Sequence, residues 1–203
     1  MQSEHKLSMP TLDADHAEPL ASERLQEAKN KLGFVPNMYA VMANSPGLLD
    51  TYVHGYNRFR ANSGFSPAEQ EVVLLAVSRE NGCTYCVAAH SFTADKMSGV
   101  PAAVTDAVRD GRAIPDARLA ALHDFTRTMV AKRGLPGRAD VQAFLAAGYS
   151  ERQILEVVLA IAVKTLSNYA NHLFHTPVDE TFAGRAWVDP NERVAKPSSA
   201  MRA

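Results

Sequence analysis

The run Ser66-Pro67-Ala68-Glu69-Gln70-Glu71-Val72-Val73-Leu74-Leu75-Ala76-Val77-Ser78-Arg79-Glu80-Asn81-Gly82-Cys83-Thr84-Tyr85-Cys86-Val87-Ala88-Ala89-His90 holds two helix starts and one helix break. Ser66 and Glu69 have the spacing of a capping box. Pro67 takes the first helical position, where its missing N–H is not needed. The helix they open carries an unbroken apolar stretch, Val72 to Val77, and is expected to end near Asn81-Gly82, because glycine accepts the left-handed conformation that closes a helix. A second helix is expected from Cys83 to about Ser98, stopped by Gly99.

The same punctuation extends in both directions. Toward the N-terminus, helices are expected over Ser22 to Leu32, closed by Gly33, over Asn37 to Ala43, and from Ser45-Pro46 to about Ala61. Toward the C-terminus they are expected from Pro101 to Asp110-Gly111, from Pro115-Asp116 to about Lys132, and over Ala139 to Ala146. A second capping box, Ser150-Glu151-Arg152-Gln153, leads a long apolar helix toward Leu173, which Thr176-Pro177 ends. A final turn is expected over Val178 to Ala183. Convincing strand alternation is absent, so the chain is expected to be all-α. Residues 1–18 are expected to be a mobile arm, 19–185 the helical domain and 186–203 a tail with Trp187 as its one large anchor.

The 203 residues suit one domain, and 46% hydrophobic residues supply a core. A formal net charge of −1 gives no reason to expect nucleic acid or an anionic membrane as partner. The segment Met1 to Lys6 is not followed by the apolar stretch of a signal peptide, and Ile154 to Leu166, interrupted by Glu156 and Lys164, is too short to span a bilayer. The cytoplasm is therefore the expected compartment, where thiols stay reduced and a structural disulfide is not expected. Two cysteines three residues apart point there to redox catalysis or to metal binding.

Glu71-Val72-Val73-Leu74 recurs as Glu156-Val157-Val158-Leu159, an offset that sets Cys83 opposite Asn168, Cys86 opposite Asn171 and His90 opposite His175. Two related helical halves are expected, a catalytic one at about 66–110 and a degenerate one at about 150–183.

At 100° per residue, positions 83, 86 and 90 fall within an arc of roughly 60°. Cys86 and His90 form an i, i+4 pair, which suits an imidazole acting on a thiol. Cys83 at the start of its helix faces unpaired N–H groups and the positive dipole end, which favour a thiolate there. Glu71, in the middle of an apolar stretch, needs a partner, and a carboxylate would orient His90. Tyr85 and His54 are candidates to line a cleft. His172 and His175 are expected to be structural or interfacial. Zinc is an open alternative, since two thiolates, an imidazole and a carboxylate could complete a tetrahedron.

The Glu71, Cys83-x-x-Cys86-x-x-x-His90 spacing, with Asn81-Gly82 before the first cysteine, resembles the alkyl hydroperoxidase D-like (AhpD-like) family of the carboxymuconolactone decarboxylase superfamily. Asn168-Tyr169-Ala170-Asn171-His172 with Thr176-Pro177-Val178-Asp179 is similar to its peroxidase-related branch. The resemblance implies an all-helical, repeat-built fold that assembles into homo-oligomers, dimers or higher. It implies Cys86 as the cysteine that meets peroxide, Cys83 as the resolving one, and Glu71 with His90 as the proton relay. No cofactor and no metal are expected. Tyr85 stands where the best-studied members carry histidine, so the relay either lacks that helper or uses the phenol.

The expected function is a thiol-dependent alkyl hydroperoxidase or disulfide oxidoreductase in antioxidant defence. Its expected partners are a small organic hydroperoxide or disulfide and a thiol or dithiol reductant protein. The alternatives are a lactone decarboxylase of the superfamily's kind, and a non-enzymatic helical oligomer that senses redox state or binds a metal.

Overall fold

Every residue from Glu69 to Ser78 is buried. A helix covered on all sides lies at the centre of its domain, and the other elements are arranged around this one. The computed structural model describes residues 3–190. Among these it has nine α-helices and a closing 3-10 turn: α1 (Pro19–Leu32), α2 (Asn37–Met42), α3 (Pro46–Asn62), α4 (Pro67–Glu80), α5 (Thr84–Lys96), α6 (Ala102–Asp110), α7 (Ala117–Ala131), α8 (Arg138–Ala146), α9 (Glu151–Phe174) and the turn Glu180–Arg185. The all-α expectation holds. No helix among the described residues is long and apolar enough to cross a membrane.

Both capping boxes form. Ser66 Oγ accepts from Glu69 N at 3.3 Å while Glu69 Oε2 accepts from Ser66 N at 2.8 Å, and Ser150 and Gln153 repeat the pattern. The first helix starts earlier than Ser22 because Pro19 takes its first turn, and the Ser22 hydroxyl donates to Ala14 O at 2.6 Å instead of capping. Gly82, at φ 66°, makes the corner between α4 and α5. The 85-residue offset pairs this corner with Ser167, where α9 runs on unbroken.

The helix α4 packs against α5, α6, α7 and α9, while α9 also touches α2 and α3. Two buried clusters result. One joins α4 to α7 and α8, and in it the Phe144 ring lies 4.3 Å from that of Phe125 and 4.7 Å from that of Tyr149. The other gathers α1 to α3, the start of α5 and the middle of α9, and contains both cysteines.

Residues 3–18, expected as an arm, run back along α9 and α2. Ser3 N donates to His172 O at 3.2 Å, Leu7 N to Leu173 O at 2.9 Å and Leu12 N to Ala40 O at 3.0 Å. At the other end the buried Trp187 donates its indole N–H to Arg109 O at 3.0 Å. The rest of the expected tail, 191–203, lies outside the described residues, as do Met1 and Gln2.

Candidate active site

The corner at Gly82 sets both thiols at the start of one helix. Cys83 is the N-cap of α5, and its sulfur accepts from Cys86 N at 3.4 Å. Its own N–H donates to Ser78 O at 2.9 Å, which ties the cap to the end of α4. Both cysteines are free and buried.

Glu71 of α4 is wholly buried, and its Oε2 lies 2.9 Å from His90 Nδ1 on α5. Its other oxygen accepts from Arg60 of α3, whose guanidinium also donates to the Tyr56 hydroxyl at 2.6 Å. The second imidazole nitrogen, Nε2, lies 2.9 Å from Nζ of Lys164 on α9. Lys164 has no exposed surface. An ammonium only donates, so Nε2 accepts and the ring proton sits on Nδ1, facing the carboxylate. Four helices thus supply one buried chain: Lys164, His90, Glu71, Arg60 and Tyr56.

Charge follows from this packing. Burial pushes the Cys86 thiol up, but the Cys83 hydrogen bond and the Lys164 charge outweigh it, leaving Cys86 well below the usual thiol range. Burial and the hydrogen bond to Cys86 hold Cys83 well above that range. The cysteine whose anion is favoured is therefore not the one at the helix start but the one a turn further on, beside Lys164. Burial and the neighbouring Lys164 charge lower His90 against the pull of Glu71, so the imidazole is neutral at neutral pH. Burial raises Glu71, but His90 and Arg60 overcome it and hold the carboxyl below its ordinary value.

Cys86, His90 and Lys164 lie at the wall of a cavity of about 390 Å³, which Cys83 does not reach. Aromatic rings dominate the rest of the wall: Tyr39, Tyr52 and Tyr56 on one side, and Phe34, Phe92 and Phe182 on another. Tyr52 and Tyr56 stack at 5.8 Å. Tyr85 also lines the cavity, but its hydroxyl donates to Asp179 and is met by Met38 N at 3.5 Å. The phenol is thus held by the chain's C-terminal part and is not in the His90 chain. His54, proposed for the cleft, is exposed on α3 and is not among the residues lining this cavity.

Of the two residues that the offset sets opposite the cysteines, Asn171 meets them in space. Asn171 Nδ2 lies 3.3 Å from the Cys86 sulfur and 3.7 Å from that of Cys83, while Asn168 Oδ1 accepts from Asn81 Nδ2 at 2.9 Å. His175 caps α9 in the left-handed conformation, and its Nε2 meets Ser3 O at 2.8 Å. Among the described residues no three His, Cys, Asp or Glu side chains are grouped so as to hold a metal ion.

Residues 46–123, which include α3, α4, the corner, both cysteines and His90, match the model of the carboxymuconolactone decarboxylase family. Over that stretch the chain is similar to this family, and its fold is AhpD-like. Its AhpD-like fold is shared with an uncharacterized peroxidase-related protein from Ralstonia eutropha JMP134, described as an alkylhydroperoxidase AhpD core. That protein is 23% identical with a TM-score of 0.77, over 88% of this chain and 96% of the other. An uncharacterized peroxidase-related protein from Silicibacter sp. TM1040 is also 23% identical, with a TM-score of 0.71 over 91% and 99% of the two chains. A cysteine-to-alanine variant of the debrominase Bmp8, in complex with 2,3,4-tribromopyrrole, is 16% identical with a TM-score of 0.71 over 91% and 97%. No curated protein matches the chain.

Two members of this AhpD-like site, Lys164 and Arg60, are not among the residues the sequence singles out for chemistry. Lys164 carries a signal of the same kind as Glu71: a charge set within an apolar helical stretch, which must find a partner when buried. Arg60 carries none, since a single arginine on an amphipathic helix is ordinary.

Proposed function

We propose that this AhpD-like protein is a thiol-dependent hydroperoxidase acting on small organic hydroperoxides. The observation that carries this reading is the division of labour between the cysteines. Cys86 borders the cavity among the cationic groups, and Cys83 lies behind it, within reach through the helix cap.

In the reaction the Cys86 thiolate attacks the terminal oxygen of the hydroperoxide. The S–O bond forms as the O–O bond breaks, and the alkoxide that leaves takes a proton from the Lys164 and His90 side of the site to depart as the alcohol. The Cys83 thiol then attacks the sulfenic acid, releasing water and closing the Cys83–Cys86 disulfide. A dithiol reductant reopens it and is itself oxidised to a disulfide. Asn171, which spans both sulfurs, holds them side by side for the second step. The aromatic wall supplies apolar contact for the organic part of the substrate. The reading extends to antioxidant defence in the cytoplasm, a thiol or dithiol protein as reductant, and assembly into homo-oligomers.

The test is consumption of cumene hydroperoxide with dithiothreitol as reductant. The wild type turns over and Cys86→Ser does not. Full consumption by Cys86→Ser would overturn the mechanism. A second reading, reductive dehalogenation of a small aromatic, draws on the likeness to the debrominase and on the aromatic wall. It predicts thiol-dependent bromide release from a bromopyrrole, which the same variants report.

A further inference from the structure

The buried chain described above does not balance in charge. Arg60 and Lys164 bring two positive charges, Glu71 brings one negative charge, and His90 is neutral. Arg60 and Glu71 satisfy each other, and the arginine keeps about a fifth of its side chain in solvent. Lys164 is wholly buried, and among the described residues no carboxylate lies within ion-pair distance of its Nζ. A buried ammonium without an anion is expensive.

We infer that the missing anion is Cys86 itself: Cys86 and Lys164 form a resting thiolate–ammonium pair, and Lys164, not His90, is the group that keeps the sulfur deprotonated. Two polar side chains meet the Cys86 sulfur: the Asn171 amide donates from 3.3 Å, and the Ser167 hydroxyl, 3.9 Å away, can accept from a thiol or turn to donate to a thiolate. Cys86 and Lys164 line the same cavity, where the lysine charge and the neighbouring Cys83 thiol both favour the anion. Both imidazole nitrogens are already taken, by Glu71 and by Lys164, so the ring reaches the sulfur through the lysine. The other titratable groups that line the cavity are phenols and, from α1, Arg24, Glu27 and Lys31. The phenols of Tyr52, Tyr56 and Tyr85 are all raised, chiefly by burial, and Asp179 faces the site only through its hydrogen bond from Tyr85.

The inference deepens the hydroperoxidase reading and rests on it only in taking Cys86 as the reacting sulfur. Its test uses no peroxide: the pH dependence of iodoacetamide alkylation of Cys86, read in the full-length Cys83→Ser background. Lys164→Met moves the midpoint up and slows alkylation at neutral pH at least tenfold, and Lys164→Arg restores both. Glu71→Gln removes the negative charge of the buried chain and moves the midpoint down. A His90–Glu71 base pair would make it move up. An unchanged midpoint in Lys164→Met, or an upward shift in Glu71→Gln, overturns the inference. Glu71→Gln is close to isosteric and carries the test alone if Lys164→Met does not fold. If Cys86 titrates as expected and hydroperoxide is still not consumed, the hydroperoxidase reading fails and the ion pair stands.

Discussion

Nζ of Lys164 and Oε2 of Glu71 each lie 2.9 Å from a different nitrogen of the His90 ring, so one neutral imidazole separates a buried cation from a buried anion. Removing that ring takes a hydrogen-bond partner from each charge and leaves Glu71 with Arg60 alone. His90→Ala is expected to lose about 3–5 kcal/mol of stability, the usual cost of breaking a buried charged network from one side, and to slow hydroperoxide turnover by about 10²–10⁴. His90→Gln, which keeps an acceptor and a donor, recovers most of the stability and less of the rate. Urea unfolding alongside turnover assays separates the two effects.

Cys83 does not border the cavity and is held protonated, and a serine in its place keeps a hydroxyl donor beside Cys86, so the first chemical step is expected to survive its replacement. Cys83→Ser is expected to consume about one equivalent of hydroperoxide per chain and then stop. Its sulfenic acid is trapped by dimedone and read by mass spectrometry. Continued turnover with dithiothreitol would show that the reductant attacks the sulfenic acid directly.

Acid destabilises the site in two stages of the same sign. His90 titrates lower in the folded chain than when unfolded, so stability falls as the pH drops below the unfolded histidine value, about 6.5. Glu71 is also depressed. Its contribution is complete above the unfolded carboxyl value, about 4.3, and is lost as the pH falls through the folded one. Thermal unfolding from pH 8 to pH 3 is expected to show both limbs, and Glu71→Gln removes the lower one.

The Tyr85 hydroxyl binds Asp179 and not the histidine chain, so Tyr85→Phe acts on stability and not on proton movement. It is expected to cost about 1–3 kcal/mol, because the largely buried Asp179 carboxylate loses a donor, while the pH profile of turnover keeps its shape. A displaced profile would return the phenol to the relay.

At Gly82, φ is 66°, where a side chain is strained. Gly82→Ala is expected to cost about 1–2 kcal/mol and to lower the melting temperature by about 2–4 °C per kcal/mol in a chain of this size. Alkylation of Cys86 reports in the same sample whether the cysteine helix has shifted.

The helical frame was legible because its signals are local. Pro46, Pro67 and the two capping boxes fix the helix starts, and Gly33, Gly82 and Gly111 mark the ends in left-handed conformation. The stripe of Cys83, Cys86 and His90 followed from periodicity within one helix, and Glu71 from the burden of a charge in an apolar run. Lys164 was harder to find. The internal offset sets it opposite Arg79, whose guanidinium packs on Arg109 O far from the thiols. No local pattern says which face of α9 meets α5. His54 failed for the same reason: on α3, Tyr52, Val53 and Tyr56 turn toward the cavity, and His54 does not.

Phe182 forms part of the cavity wall, with its ring 5.6 Å from Phe92 and 6.1 Å from Phe34, yet it belongs to the closing turn and to none of the helices that carry the reacting groups. That turn is fastened from outside, by Asp179 to Asn37 N and by Arg185 to Asp106. One part of the wall is therefore set on a stretch of chain apart from the sulfur and its surrounding charges. Exchanging the residue at position 182 can reshape that part of the cavity while those groups stay as they are, which makes this short segment a place where guest preference can drift or be engineered.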